Sequence, residues 1–169
     1  VVTAIGQQLL QDAGVENIKD LQILTPGLTV TSTSSEASTT ARIRGVGTVG
    51  DNIGLESSVL VNVDGVYRPR NGVGFGDLGE LERIEVLKGP QGTLFGKNAS
   101  AGVINIVTAA PDFDFGVNTE LTGGNYGAFG GSLAINSPII GDVLAGNIYM
   151  AKRQRDGFYD VATGPGPRT

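Results

Sequence analysis

Apolar residues recur at helical spacing only near the start of this chain. Over Gly6–Ala13, Leu9, Leu10 and Ala13 share one face and Gly14 stops the run, which predicts a short helix. Over Asn17–Leu24, Ile18, Leu21 and Leu24 repeat at every third position. Asn17 is the expected N-cap, Asp20 stands at N3, and Pro26-Gly27 ends the helix. From Leu28 onward the signal is that of strands. Leu28–Thr33 and Ala41–Arg44 are predicted strands on either side of a Ser/Thr-rich loop. Val59–Val63 and Val66–Tyr67 flank Asp64-Gly65, the two-residue signal of a type I′ hairpin. Leu81–Leu87 sets Arg83 and Glu85 against Ile84 and Val86, Gly89-Pro90 breaks it, and Val103–Val107 reads as a buried strand. Two stretches without periodicity, Gly45–Ser57 and Arg68–Gly79, are predicted as long glycine-rich loops.

After Pro111 the pattern becomes longer and more regular. Phe115–Leu121, Phe129–Ile135 and Leu144–Arg155 alternate apolar and polar positions, with turns expected at Gly123-Gly124-Asn125 and Pro138–Asp142. Leu121, Leu133, Ile135, Ile148 and Met150 fall on one face, and Asn147, Tyr149, Arg153 and Arg155 on the other. Three successive amphipathic strands suit a meander or a barrel wall, and also a soluble sheet. The change of texture puts a domain boundary near Ala110–Asp114.

Composition narrows the chemistry. The chain has 169 residues, a net charge of −5, and no Cys or His. It therefore has no thiolate, disulfide, Fe–S or histidine-ligated metal site and no Ser-His-Asp triad. No cofactor is expected, an enzyme is disfavoured, and the acidic balance argues against nucleic acid. Glycine accounts for 27 residues, more than twice the usual share of about 7%, while 40% of residues are hydrophobic. That is enough to bury a core, so the glycine marks loops rather than disorder. No apolar run reaches the ~18 residues of a membrane helix, which leaves open spanning strands of ~9–11 alternating residues. Val1–Ile5 lacks the basic and long apolar regions of a signal peptide.

Two glycine motifs invite nucleotide readings and fail on context. Gly45-Val46-Gly47-Thr48-Val49-Gly50 matches G-x-G-x-x-G, but Asp51-Asn52-Ile53-Gly54 continues as loop where a dinucleotide site needs a helix. Gly92–Asn98 approaches a P-loop with its first glycine one position too close and Asn98 in place of Ser or Thr.

The segment Glu82-Arg83-Ile84-Glu85-Val86-Leu87-Lys88-Gly89-Pro90-Gln91-Gly92, continued by Leu94–Thr108, resembles the plug signature of TonB-dependent outer-membrane receptors. Asp20–Val30, Arg42–Gly47 and Val61–Tyr67 fall in that family's order, so the resemblance covers Val1–Ala110, and the chain beyond Pro111 is similar to the first barrel strands. It implies an α+β plug domain with a small mixed sheet (1–110), followed by antiparallel transmembrane strands (111–169) of a roughly 22-stranded β-barrel. It also implies a Gram-negative outer-membrane location, with lipid around the barrel. The implied partners are TonB, through a Ton box upstream, and a scarce small-molecule ligand: by default a ferric siderophore, otherwise a cobalamin or an oligosaccharide. Val1-Val2-Thr3-Ala4 superficially resembles a Ton box. It is expected to lead directly into the first helix, where the family has a strand. Three wall strands make the chain a piece of a larger receptor. The alternative is a soluble β-rich binding or adhesion module.

The resemblance assigns candidate residues. Loops at the two glycine-rich positions face the ligand in the family, which points to Thr48, Asp51, Asn52, Arg68, Arg70, Asn71 and Phe75. Basic residues at the positions of Arg44 and Lys88 pair there with barrel-wall glutamates and hold the plug; those glutamates are expected outside this chain. Lys88 stands where arginine is common, and so lacks a bidentate fork.

Overall fold

A computed structural model of the chain describes residues 2–15, 18–32, 39–48, 56–68, 79–154 and 156. The chain divides into two compact units, Val1–Ala110 and Pro111–Thr169.

The first unit is built on a five-stranded mixed sheet. Its strands are β1 (Val2–Gly6), β4 (Val59–Val63), β5 (Val66–Arg68), β6 (Leu81–Lys88) and β7 (Gly102–Thr108), in spatial order β1-β6-β7-β4-β5. Only β4 and β7 run parallel. A separate ribbon pairs β2 (Leu28–Ser32) with β3 (Thr39–Ile43), and the helices are short: α1 (Gln7–Asp12), α2 (Leu21–Leu24) and α3 (Gly92–Phe95). The β4–β5 turn takes positive φ at both Asp64 (49°) and Gly65 (82°), as a type I′ turn requires.

Alternation along the strands sorts the sheet into two faces. Ile5, Val59, Val61, Ile84, Val86, Ile104 and Ile106 line one, and Leu10 of α1, Leu21 of α2 and the ribbon residues Leu28, Val30, Ala41 and Ile43 cover them. On the other face, Leu60 and Val103 form a small second cluster with Ala99, Leu87 and Phe95 at one end of the sheet. Gly102 sits where no larger residue fits, because a Cβ there would lie 2.3 Å from the carbonyl oxygen of Leu87.

Several expectations are corrected. Val2–Gly6 is a strand, paired antiparallel with Leu87–Arg83, and does not lead straight into a helix. Its β-branched residues fit a pleated edge, and burying Ile5 in the main core stabilises it there. Helix α1 is shorter than the pattern suggests, because Leu10 is buried while Leu9 is half exposed at 51%. The second helix shrinks to Leu21–Leu24, with Asp20 at its N-cap; the proposed cap Asn17 lies outside the described residues. Helix α3 and the parallel β4–β7 pairing carry no signal in the local pattern.

The second unit is an antiparallel meander of β8 (Gly116–Gly123), β9 (Phe129–Ile140) and β10 (Leu144–Gln154). Register places Val117 beside Ile135 and Ile148, and Leu133 beside Met150, on one face. Asn118, Glu120, Ser132, Asn136, Asn147, Tyr149 and Arg153 occupy the other. Pro138, expected in a turn, belongs to β9. A register shift beside it, between Leu144 and Ala145, marks the kind of irregularity that tolerates a residue lacking an N–H. Asn136 ties the incoming chain to β9: its Oδ1 accepts from the Asp112 amide (2.9 Å), and its Nδ2 donates to the Asp112 and Asp114 carbonyls (2.8 Å each).

Candidate functional site

The end of the first glycine-rich stretch and the start of the second come to one end of the sheet. The second stretch returns to β6 at the other end, where Leu81 pairs with Thr108. Ser58 precedes β4 and accepts at its carbonyl from the Ala101 amide (2.9 Å), while Arg68 closes β5 opposite Val61. Thr48 is engaged at the first root. Its hydroxyl donates to the Glu56 carbonyl, accepts from the Ser58 amide, and lies against the Ser58 hydroxyl, each at 2.9 Å. This sets Thr48 to close the stretch between residues 48 and 58. Arg68 is exposed at the second root. Asp51, Asn52, Arg70, Asn71 and Phe75 lie outside the described residues.

The signature turn after β6 packs against the same end. Gly89 and Gln91 donate to the carbonyls of Ala101 (3.0 Å) and Ala99 (2.8 Å), and Phe95 joins the second cluster. From this support Lys97 reaches Glu56 (Nζ–Oε2, 3.1 Å), and the Asn98 amide donates to the Tyr67 hydroxyl (2.6 Å). Lys97, with a smaller contribution from Asn98, holds the Glu56 carboxyl below the usual carboxylate range. Sequence reasoning missed Glu56, Tyr67, Lys97 and Asn98 as a set. Glu56 and Tyr67 precede Lys97 and Asn98 by 41 and 31 residues, and the β4–β5 and parallel β4–β7 pairings together assemble them.

Arg44 and Lys88 converge on the Pro26-Gly27 turn. Arg44 lies one residue beyond β3 with φ of 55°, and its amide donates to the Gly27 carbonyl (2.7 Å). Its side chain passes Gly27, where an added Cβ would lie 3.6 Å from Arg44 Cγ. The Lys88 ammonium donates to the Pro26 carbonyl (2.8 Å), which uses one of its three N–H groups. The Arg44 backbone amide and the Lys88 ammonium thus brace this turn within the first unit.

A polar row crosses the outer sheet face. Asn62 donates to Asn105 (2.8 Å), Asn105 donates to Glu85 (3.0 Å), and Arg83 Nε donates to the second Glu85 oxygen (2.7 Å). Arg83 also pairs with Glu82. The Arg83 contact first, then that from Asn105, holds the Glu85 carboxyl below its ordinary value, while Glu85 raises the Arg83 pKa.

The first unit is thus a mixed sheet with a helix-covered core, and the second a meander with exposed apolar residues on one face. The family model "TonB-dependent Receptor Plug Domain" matches residues 1–103, and the chain belongs to that family. Membership places it in the Gram-negative outer membrane. It is 31% identical over 163 residues to the pesticin receptor of Yersinia pestis, across 96% of this chain and 24% of that protein. It is also 31% identical over 147 residues to the catecholate siderophore receptor Fiu of Escherichia coli K12, across 85% of this chain and 18% of that protein. The ferric yersiniabactin uptake receptor FyuA from Y. pestis superimposes with a TM-score of 0.78 at 28% identity, over 89% of this chain and 23% of that one. The chain thus spans about a quarter or less of the length of the curated relatives it matches.

Proposed function

We propose that this chain is the plug, with its boundary at Ala110–Pro111, and the first wall strands of a receptor that captures a ferric siderophore and takes it up by TonB-coupled transport. The observation that carries this reading is the likeness to the ferric yersiniabactin receptor across both units. The role is non-catalytic: the plug closes the lumen, the apical loops meet the ligand, and the wall strands face lipid. Glycine-rich, irregular backbone suits a plug, because a lumen shields it from hydrocarbon. A soluble β-rich module is disfavoured by the second unit, where Leu121, Ile148 and Met150 are 78%, 58% and 63% exposed on one side.

Thr48 acts in this reading by shaping the first ligand loop. Arg68 and the loop residues Asp51, Asn52, Arg70, Asn71 and Phe75 supply contacts; Arg68 and Arg70 suit an anionic chelate. Arg44 and Lys88 hold the plug through carboxylates on the barrel wall, with Arg44 exposed and Lys88 giving, among the described residues, one of its three N–H groups to Pro26. The test is uptake of radiolabelled ferric catecholate, ferric hydroxamate and cyanocobalamin by cells expressing the full-length receptor, with and without TonB. TonB-dependent iron accumulation supports the reading. Accumulation of cyanocobalamin alone would reassign the substrate, and equal uptake without TonB would refute energy coupling.

A further inference from the structure

We propose that Lys97 and Asn98 are positioning residues for ligand capture: from one turn they clamp the point where residues 49–55 end and the point where residues 69–78 begin. The proposal rests on the reading that these two stretches meet the ligand. Lys97 reaches Glu56, the first described residue after one stretch, and Asn98 reaches Tyr67, two residues before the other.

The turn that carries both arms is fixed independently of them. Gly89 and Gln91 bond to the far side of the turn, and Ala99 is fully buried against Leu60 and Val103. The two groups it holds are less secure. Strand β5 is an edge of three residues, and Tyr67 is 38% exposed on it, so the Asn98 bond adds a fixed point beyond the ladder to β4. Glu56 stands outside any strand, and its side chain is 57% exposed. The Lys97–Glu56 pair is too exposed to add much to folding. What it does is set a distance. With Thr48 already tied to Glu56 and Ser58, both ends of the first stretch and the start of the second refer to the same turn. Two contact surfaces held at a fixed separation bind one rigid chelate better than two that drift, because less freedom is lost on binding.

The experiment uses the full-length receptor in lipid nanodiscs, with Lys97→Gln, Asn98→Ala, their combination, Tyr67→Phe and Lys97→Arg. Amide hydrogen exchange without ligand is read over residues 45–58 and 66–68, and affinity is measured for a ferric tris-catecholate probe. Asn98→Ala and Tyr67→Phe should each speed exchange at residues 66–68 by about 2–10-fold, the range of one lost hydrogen bond. Combining those two should add nothing, since they remove the same bond. Lys97→Gln should act on residues 45–58, Lys97→Arg should behave as wild type, and Lys97→Gln with Asn98→Ala should weaken the probe by about 10-fold. Unchanged exchange at both roots in that double variant would overturn the clamp. Faster exchange with unchanged probe affinity would leave the clamp standing as a structural tie and overturn its role in capture, whereas failure of the wild-type receptor to bind the probe at all would overturn the underlying reading instead. Tyr67→Phe, which removes one oxygen, keeps the test intact if the double variant does not fold.

Discussion

The two sheets alternate apolar and polar residues in the same way and put the apolar side to opposite uses. In the first unit, Ile84 and Val86 are fully buried, because α1, α2 and the β2–β3 ribbon close over their face. In the second, Leu121 and Met150 project outward, and no element of the described meander covers them. The polar sides differ as well. The plug sheet ties Asn62, Asn105 and Glu85 into a row, while the meander uses Asn136 to anchor the chain that enters it. Alternation therefore reports the pleat, not the solvent. What tells the two apart is the covering sequence: the plug supplies helical segments and close-packed turns, and the wall supplies long strands and short turns.

The largest break in this contrast is an arginine on the outward face. Leu133→Arg in the full receptor should cost about 2–4 kcal/mol of membrane folding free energy if the site lies near mid-bilayer; urea titration of folding into vesicles measures it. Ser132→Arg, one residue along on the polar face, should fold as wild type. Next comes overpacking in the plug. Gly102→Ala forces a methyl against the Leu87 backbone, which cannot yield as a side chain can, and should cost about 2–3 kcal/mol. The measurement is the plug's own unfolding transition, with the barrel transition unmoved.

The Arg44→Ala, Lys88→Ala pair should have a smaller effect: a lower urea threshold for plug release, read as the onset of conductance in a planar bilayer, with binding at the apical loops retained. Lys88→Arg should leave the threshold equal or higher, since a guanidinium engages a carboxylate at two points. Equal thresholds in wild type and the double variant would assign both residues to bracing the Pro26-Gly27 turn alone. The smallest effect is on pH. Folding lowers the Glu85 pKa from its ordinary 4.5, so the folded plug holds fewer protons. That stabilisation is present above the ordinary value and is lost as pH falls through the lowered one. Glu85→Gln should flatten this acid-side loss in plug stability, and an unchanged acid limb would show that the polar row does not contribute.

Much of the fold was legible because it is local. The Asp64-Gly65 hairpin, the Ile84/Val86 alternation and the division of the meander into an apolar and a polar face follow from spacing alone, and Pro26-Gly27 marks the end of the second helix. What stayed hidden is non-local. Val2–Gly6 becomes a strand because β6 offers it an edge and the core accepts Ile5, which no window around Val2 records. Helical spacing over Gly6–Ala13 overstated α1, since tertiary packing takes only Leu10. At the site, the resemblance singled out Arg44 and Lys88, but only the folded chain shows both meeting at one turn. Glu56 and Lys97 are 41 residues apart, and the motif around Lys97 carries no sign of its partner.

The central claim, that one sheet buries its apolar face in the plug while the other turns it to lipid, is tested most directly by depth-resolved quenching. Single cysteines bearing a fluorophore would be placed at Leu121, Leu133 and Met150, at their neighbours Glu120, Ser132 and Tyr149, and at the plug position Asn105. The full receptor would be folded into bilayers of brominated phospholipid. The account predicts strong quenching at the first three positions and little at the other four. Equal quenching at Leu133 and Ser132, or none at Leu121 and Met150, would contradict it.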